Sequence, residues 1–212
     1  MTVLNLPGNG PTTHKDNMNN QDRVANYNAT SSGWELHCGS DDRIVGTIYL
    51  GNNYAKANDY YGGYQGNYLK RIAALFPDKT SVAHLYAGQA DITALPGTKY
   101  DINPQDSHTV YADARAMSQS AVAQHDLWVC DPPYGEERLK EYQRRYNCPA
   151  DSINVRRVFN QLYLASAPGA HIVWLDWQRP FYKSSEWRET GAVLYRGSTG
   201  HKDRSISIYE RA

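Results

Sequence analysis

A chain of 212 residues has room for one α/β domain around a single hydrophobic core, and two full domains would be cramped. Its 41% apolar and 21% charged content are those of an ordinary globular protein, and no apolar run approaches the roughly 18–20 residues needed to span a bilayer. The formal net charge of zero argues against an extensive phosphate-gripping surface while leaving room for a local basic face. Three cysteines, Cys38, Cys130 and Cys148, make no disulfide framework, and no CxxC pair suggests zinc. The N-terminus lacks the basic-then-apolar pattern of a secretory signal, so the expected compartment is the reducing cytoplasm. Tyrosine is abundant, 17 residues against 3 phenylalanines, which suits surfaces that stack on bases or sugars, although most tyrosines are expected in core and rim positions.

Residues 1–33 are rich in Asn, Asp, Thr, Ser and Gly without a sustained apolar period and read as a flexible or loosely packed arm. Residues 34–63 hold one strand candidate at 44–50, followed by a loop rich in tyrosine and glycine. From Tyr64 the pattern is regular. Asn67 precedes a helix with Leu69, Ile72, Leu75 and Phe76 on one face, ended by Pro77-Asp78. Short apolar strands are expected at 82–87, 99–102, 109–112, 127–130, 171–174, 193–196 and 205–209. A helix with the stripe Val155, Val158, Leu162 and Ala165 precedes the fifth of these and is expected to close at Pro168-Gly169. Strands alternating with helices predict an α/β fold. It is a Rossmann-like, doubly wound, mainly parallel sheet of seven strands, the last two forming an antiparallel hairpin at one side.

Ligands of such sheets sit outside the carboxyl ends of the strands, where the strand order reverses. The first of the seven strands ends in Tyr86-Ala87-Gly88, and glycine at a tight turn lets the backbone approach a ligand. The second ends at Asp101, placed to accept both hydrogen bonds of a ribose diol. The third ends at Asp113, placed to accept from the amino group of an adenine ring. A lone aspartate after a strand is more often a helix cap or turn former. Gly, Asp and Asp at three consecutive strand ends is a combination that chance seldom produces.

The sharpest signal follows the fourth strand: Asp131-Pro132-Pro133-Tyr134. Two successive prolines stiffen the backbone and cannot donate, so polar groups project from the sheet at a fixed angle. An amine conjugated to an aromatic ring is a poor nucleophile because its lone pair is delocalised. The Asp131 carboxylate and Pro132 carbonyl would pull its N–H bonds and favour an sp³-like nitrogen, and Tyr134 would offer a ring face for stacking. The bland reading, a rigid loop, has little appeal when the neighbouring strand ends are also occupied.

With these residues in place, the chain resembles the class I methyltransferases, specifically the amino-methyltransferases of DNA that carry a D-P-P-Y motif. The resemblance runs from Tyr64 to the C-terminus, about two thirds of the chain, so residues 64–212 would be the catalytic domain and 34–63 an extension contributing to the cofactor or substrate site. The chain also looks like small phage- and plasmid-encoded proteins with YYG-x-Y before a helix and VWLD in the fifth strand, here Tyr60-Tyr61-Gly62-Gly63-Tyr64 and Val173-Trp174-Leu175-Asp176. The resemblance implies S-adenosylmethionine as cofactor and no metal. It places Tyr86, Ala87 and Gly88 beside the methionine part, Asp101 on the ribose, and Ile102 against the adenine. Asp113 and Ala114 would recognise the adenine, Tyr61 and Tyr64 would lie in a closing segment, and Asp131 to Tyr134 would hold the target base. One departure stands out: in His84-Leu85-Tyr86-Ala87-Gly88-Gln89-Ala90, His84 and Ala90 replace the family's acid and second glycine.

The basic segment after the motif, with Arg138, Lys140, Arg144 and Arg145, and the later Lys202 and Arg204, are candidate phosphate contacts; for any single one of them, solvated surface is the stronger reading. The expected partner is DNA, with RNA possible. The alternatives are N4-cytosine, RNA-base or protein-glutamine methylation, or a degenerate methyltransferase fold used for binding. Asp rather than Asn at position 131 favours DNA adenine over protein glutamine.

Overall fold

A computed structural model describes residues 17–31, 35–50, 64, 67–103, 107–120, 125–133, 135–146, 153–197 and 203–212, without the side chains of residues 119, 120, 138, 145 and 146. In chain order the helices and strands are α1 (Asn20–Thr30), β1 (Leu36–Cys38), β2 (Ile44–Tyr49), α2 (Tyr68–Leu75), β3 (Val82–Leu85), β4 (Thr98–Asp101), β5 (Thr109–Tyr111), α3 (Met117–Ser120), β6 (His125–Cys130), α4 (Gly135–Tyr146), α5 (Val155–Ala165), β7 (Ser166–Asp176), β8 (Trp187–Arg196) and β9 (Arg204–Arg211). A 3-10 turn, Ala114–Ala116, leads into α3.

The strands form one mixed sheet in the order β1-β2-β8-β9-β7-β6-β3-β4-β5. Every residue of β3 is buried, and in β6 only Asp126 is partly exposed, as expected of parallel strands covered on both faces. One face packs Val24 and Tyr27 of α1 and Leu69, Ile72 and Leu75 of α2 against the sheet. The other packs Met117 of α3 and Val158, Phe159 and Leu162 of α5. The result is a helix–sheet–helix sandwich of the Rossmann-like kind. From β3 the chain steps outward to β4 and β5, then returns to lay β6 on the opposite side of β3. The strand order therefore reverses between β3 and β6, which are in register at Leu85 and Cys130.

Four features differ from the sequence-based expectations. First, the sheet has nine strands among the described residues, not seven, because β1 and β2 extend it beyond β8. Residues 36–49 are thus part of the same sheet. Second, part of the expected loose arm is a packed helix. Asn19 caps α1 by accepting from the Asp22 N–H at 2.8 Å. The fully buried Arg23 guanidinium makes a two-pronged ion pair with Asp78, and Asn28 both donates to and accepts from the Leu36 backbone. Polar composition hid this helix because its anchors are polar groups satisfied by tertiary partners.

Third, β8 and β9 pair antiparallel, but β9 is inserted between β7 and β8, and β8 continues into β2, so the pair is not at the sheet's side. Fourth, α5 passes straight into β7 at Ser166, and Pro168-Gly169 lies inside the strand, where the register to β6 shifts. Gly169 adopts φ +72°, and a Cβ there would collide with the Asn17 side chain. That glycine serves a bulge and not a helix cap.

Candidate active site

The ends of β3, β4, β5 and β6 meet at one edge of the sheet. After β3 the chain turns sharply through Tyr86 (φ +62°) and Gly88 (φ +47°). Left-handed φ is uncommon for a tyrosine and marks a turn held by its surroundings. Those surroundings are the Asp101 side chain, the Ala87 N–H donating to the Tyr100 carbonyl at 3.2 Å, and Thr109 donating to the Gly88 carbonyl at 3.3 Å. Asp101 accepts from the Gly88 N–H at 2.9 Å on one carboxylate oxygen and from the Asn103 N–H at 2.8 Å on the other. Burial raises its carboxyl above the usual range, and the backbone N–H bonds offset only part of that.

Beside this turn lies a small open cleft with Tyr86, Asp101, Ile102, Asp113 and Ala114 in its wall. The structure brings these five sequence-predicted residues together. Leu85, Tyr100, Ala112, Arg115 and Ile153 complete the lining and were not singled out from sequence. Asp113 is already engaged. It caps the 3-10 turn through the Arg115 N–H at 2.8 Å and pairs with the Arg115 guanidinium at 2.9 Å. Burial acts to raise its carboxyl, but the bonds to Arg115 outweigh this and hold it below its usual range.

Across the switch point, Asp131 and Pro133 are half-buried and Pro132 is buried. Because Leu85 and Cys130 are register partners, Tyr86 and Asp131 leave adjacent strands side by side, about 5 Å apart in strand spacing. Next to Asp131 is a tyrosine cluster. Tyr64 stacks on Tyr68 at 5.5 Å, and Tyr68 meets the edge of Tyr195 at 5.9 Å. Burial raises the phenols of Tyr68 and Tyr195 above their usual range, and the Asp131 carboxylate adds to the shift in both. The Tyr68 hydroxyl is buried with no hydrogen-bond partner among the described residues, as is that of Tyr86. Tyr61 and Tyr134 lie outside the described residues.

His84 is fully buried and binds the Leu95 carbonyl through Nε2 at 2.8 Å. A carbonyl only accepts, so Nε2 carries the proton and Nδ1 is an acceptor, 3.2 Å from the Tyr64 hydroxyl. That hydroxyl is also within reach of the Val129 carbonyl, at 3.3 Å. Burial, above all, lowers the His84 pKa to about 4. The residue standing where the resemblance expects an acid is a neutral core histidine that ties β3 to the loop at Leu95 and to Tyr64. Asp91, the other acid nearby in sequence, accepts from its own turn at Thr93.

Of the candidate phosphate contacts, Lys140 pairs with Glu136 at 3.6 Å and Arg144 with Glu141 at 2.8 Å, both along α4. Arg204 lies 5.8 Å over the Tyr195 ring. The side chains of Arg138 and Arg145, and residue Lys202, lie outside the described residues. Among the described residues no group of three or more His, Cys, Asp or Glu is disposed to hold a metal ion, and no helix is long and apolar enough to cross a membrane.

No family model matches the chain, and no curated protein matches it by sequence. Among solved structures it is similar to TrmN from Thermus thermophilus, with TM-score 0.47 and 16% identity over 68% of this chain and 47% of that one. It is also similar to a candidate methylase from Haemophilus influenzae, with TM-score 0.38 and 13% identity over 63% of this chain and 81% of that one. A third is a candidate methyltransferase from Streptococcus mutans in complex with SAH, with TM-score 0.35 and 8% identity over 63% and 88% of the two chains. The chain thus spans about half the length of the first, 47%. Likeness at this level leaves function to be reasoned from the site itself.

Proposed function

We propose that this chain is a class I methyltransferase that uses S-adenosylmethionine to methylate an exocyclic amino group of a nucleobase, adenine N6 in DNA. The observation that carries the reading is the placement of Asp131-Pro132-Pro133 at the end of β6, directly across the switch point from the Tyr86-Ala87-Gly88 turn. The cleft holding Asp101 lies on the far side of that turn. A binding cleft and an acceptor for an amine thus flank one turn.

The residues fit the cofactor's nucleoside half. Asp101 offers a partly desolvated carboxylate for a diol, and Leu85, Ile102 and Ala114 offer apolar walls for a flat ring. When bound, S-adenosylmethionine supplies an electrophilic methyl group. Asp131 and the Pro132 carbonyl accept the N–H bonds of the target amine and aim its lone pair, and Tyr134 stacks on the base. The carboxylate favours the positive charge that builds on nitrogen during transfer more than it favours the neutral amine. The surplus proton then leaves toward Asp131 or solvent. Tyr61 and Tyr64 lie in the segment that closes over the cofactor, and residues 34–63 contribute to the site. Phosphates meet cations of α4, Arg138, Lys140, Arg144 and Arg145, with Lys202 between β8 and β9 and Arg204 at the start of β9. The setting is the cytoplasm.

A binding-only protein is the second reading. It is favoured by the neutral His84 in place of an acid and by the Arg115 guanidinium already seated on Asp113. The test is incubation with S-adenosylmethionine and unmodified DNA, RNA or a glutamine-containing protein, followed by mass spectrometry of the digests. N6-methyladenine from DNA is expected. N4-methylcytosine would retain the mechanism and overturn the base, and product only from RNA or protein would overturn the substrate. No calorimetric binding of S-adenosylmethionine at millimolar concentration would leave the binding-only reading.

A further inference from the structure

Strands β7 and β8 run in the same direction, because each is antiparallel to β9 between them. The chain must therefore return from one end of the sheet to the other through residues 177–186. Asp176 is opposite Ser205 and Trp187 opposite Arg211, six steps along β9, or about 20 Å. Ten residues of helix reach only about 15 Å. The connection must be extended, and in the structure it is a strap without helix. An open groove of about 700 Å³ lies between the strap and the first turn of α5.

The strap is anchored, not loose. Pro180 is buried, Tyr182 packs on Tyr209 at 4.7 Å, and Glu186 binds Asn160 of α5 at 3.2 Å. On this fixed support the Phe181 ring is 83% exposed and Trp177 is 43% exposed. Arg156, Arg179 and Lys183 line the groove. Arg179 and Lys183 each also touch a glutamate, at 3.5 Å and 2.6 Å, whereas Arg156 has no ion pair among the described residues. The lining carboxylate is Asp176, whose pKa burial raises above its usual range. An anchored aromatic ring in water, flanked by cations, is the arrangement that stacks bases and neutralises phosphates of an unpaired strand. Cys130 of β6 and Trp174 of β7 are register partners, so the groove opens one strand away from Asp131.

We propose that the groove between the α5 first turn and the 177–183 strap seats single-stranded DNA next to the target base. Phe181 stacks on a flanking base, and Arg156, Arg179 and Lys183 face its phosphates. The proposal rests on the reading above that the substrate is a DNA base. The test is a fluorescence-anisotropy titration of the full chain with labelled single-stranded DNA, duplex DNA and single-stranded RNA at several salt concentrations. Single-stranded DNA is expected to bind tightest. Phe181→Ala is expected to weaken it on the order of 10–100-fold while Phe181→Trp preserves it. Arg156→Ala is expected to lower the salt slope by about one. Both side chains are on the surface, so melting temperature and S-adenosylmethionine binding should stay at wild-type values.

Wild-type affinity in Phe181→Ala together with an unchanged slope in Arg156→Ala overturns the proposal. So does tighter binding of RNA, or a self-association that Phe181→Ala abolishes, which would give the groove to a second copy. The readout needs no methyl transfer. Phe181-dependent binding without any methylated product counts against the enzymatic reading alone, and methylation with Phe181-independent binding counts against the groove alone.

Discussion

Replacing Asp101 with alanine removes an acceptor that the fold uses twice and that the proposed cofactor would use again. The Gly88 and Asn103 N–H groups, at 2.9 and 2.8 Å, lose their charged partner, Gly88 being buried and Asn103 only partly exposed. Bonds to a charged group contribute about 1.5–3 kcal/mol each, and water entering the site restores part of it, so a net loss of about 2–4 kcal/mol in unfolding free energy is expected. For a chain of this size that lowers Tm by roughly 4–16 °C. Loss of the charge-assisted pair to a diol should weaken S-adenosylmethionine by about 10–150-fold. Asp101→Asn keeps one acceptor oxygen and should show the affinity loss with a smaller stability loss. Burial raises the Asp101 carboxyl, so wild-type affinity should begin to fall on acidification at a pH above the usual aspartate range, and the Asn variant should lack that fall. Thermal unfolding beside calorimetric titration at several pH values measures all three. An alanine variant with wild-type Tm and wild-type affinity would refute the role of Asp101 in both the turn and the cleft.

Asp131→Ala is expected to lower single-turnover methyl transfer by about 10²–10³-fold with cofactor affinity unchanged, and a near-normal rate would remove Asp131 from the mechanism. For His84 the folded pKa of about 4 lies below the unfolded 6.5, so above pH 6.5 neither state holds the proton and between 6.5 and 4 only the unfolded chain takes it up. Stability therefore falls on acidification by about 3 kcal/mol from this residue, and His84→Gln, which keeps a donor and an acceptor, should lose less over the same range in urea unfolding; parallel curves would contradict it. In Asp78, burial acts to raise the carboxyl but the Arg23 guanidinium outweighs it and holds the group low. Its stabilisation is present above the unfolded pKa and lost as pH falls through the lower folded value, so Asp78→Asn should destabilise at pH 7 and cost little near pH 2. Tyr68→Phe removes a buried hydroxyl without a partner among the described residues and should leave Tm unchanged or higher; a clear drop would reveal a bond that the fold depends on.

The linear pattern of residues carried the strand ends. Runs such as Leu127–Trp128–Val129 and the punctuation after them, Asp131-Pro132-Pro133, are local signals, because burial on both faces demands apolar side chains and a rigid exit demands proline. Periodicity likewise marked α2 and α5 through Leu69, Ile72, Leu75 and Val158, Leu162, Ala165. What these could not supply were facts that exist only between distant residues. Helix α1 is held by Arg23 on Asp78, 55 positions away, and polar anchors look like solvated surface until their partners are placed. The insertion of β9 between β7 and β8 depends on pairing register, and that pairing forces residues 177–186 into an extended strap and leaves Phe181 in water. His84 reads as a departure from an acidic motif; only its enclosure between Leu95 and Tyr64 makes it a neutral core residue, since desolvation is a property of the surroundings and not of the side chain.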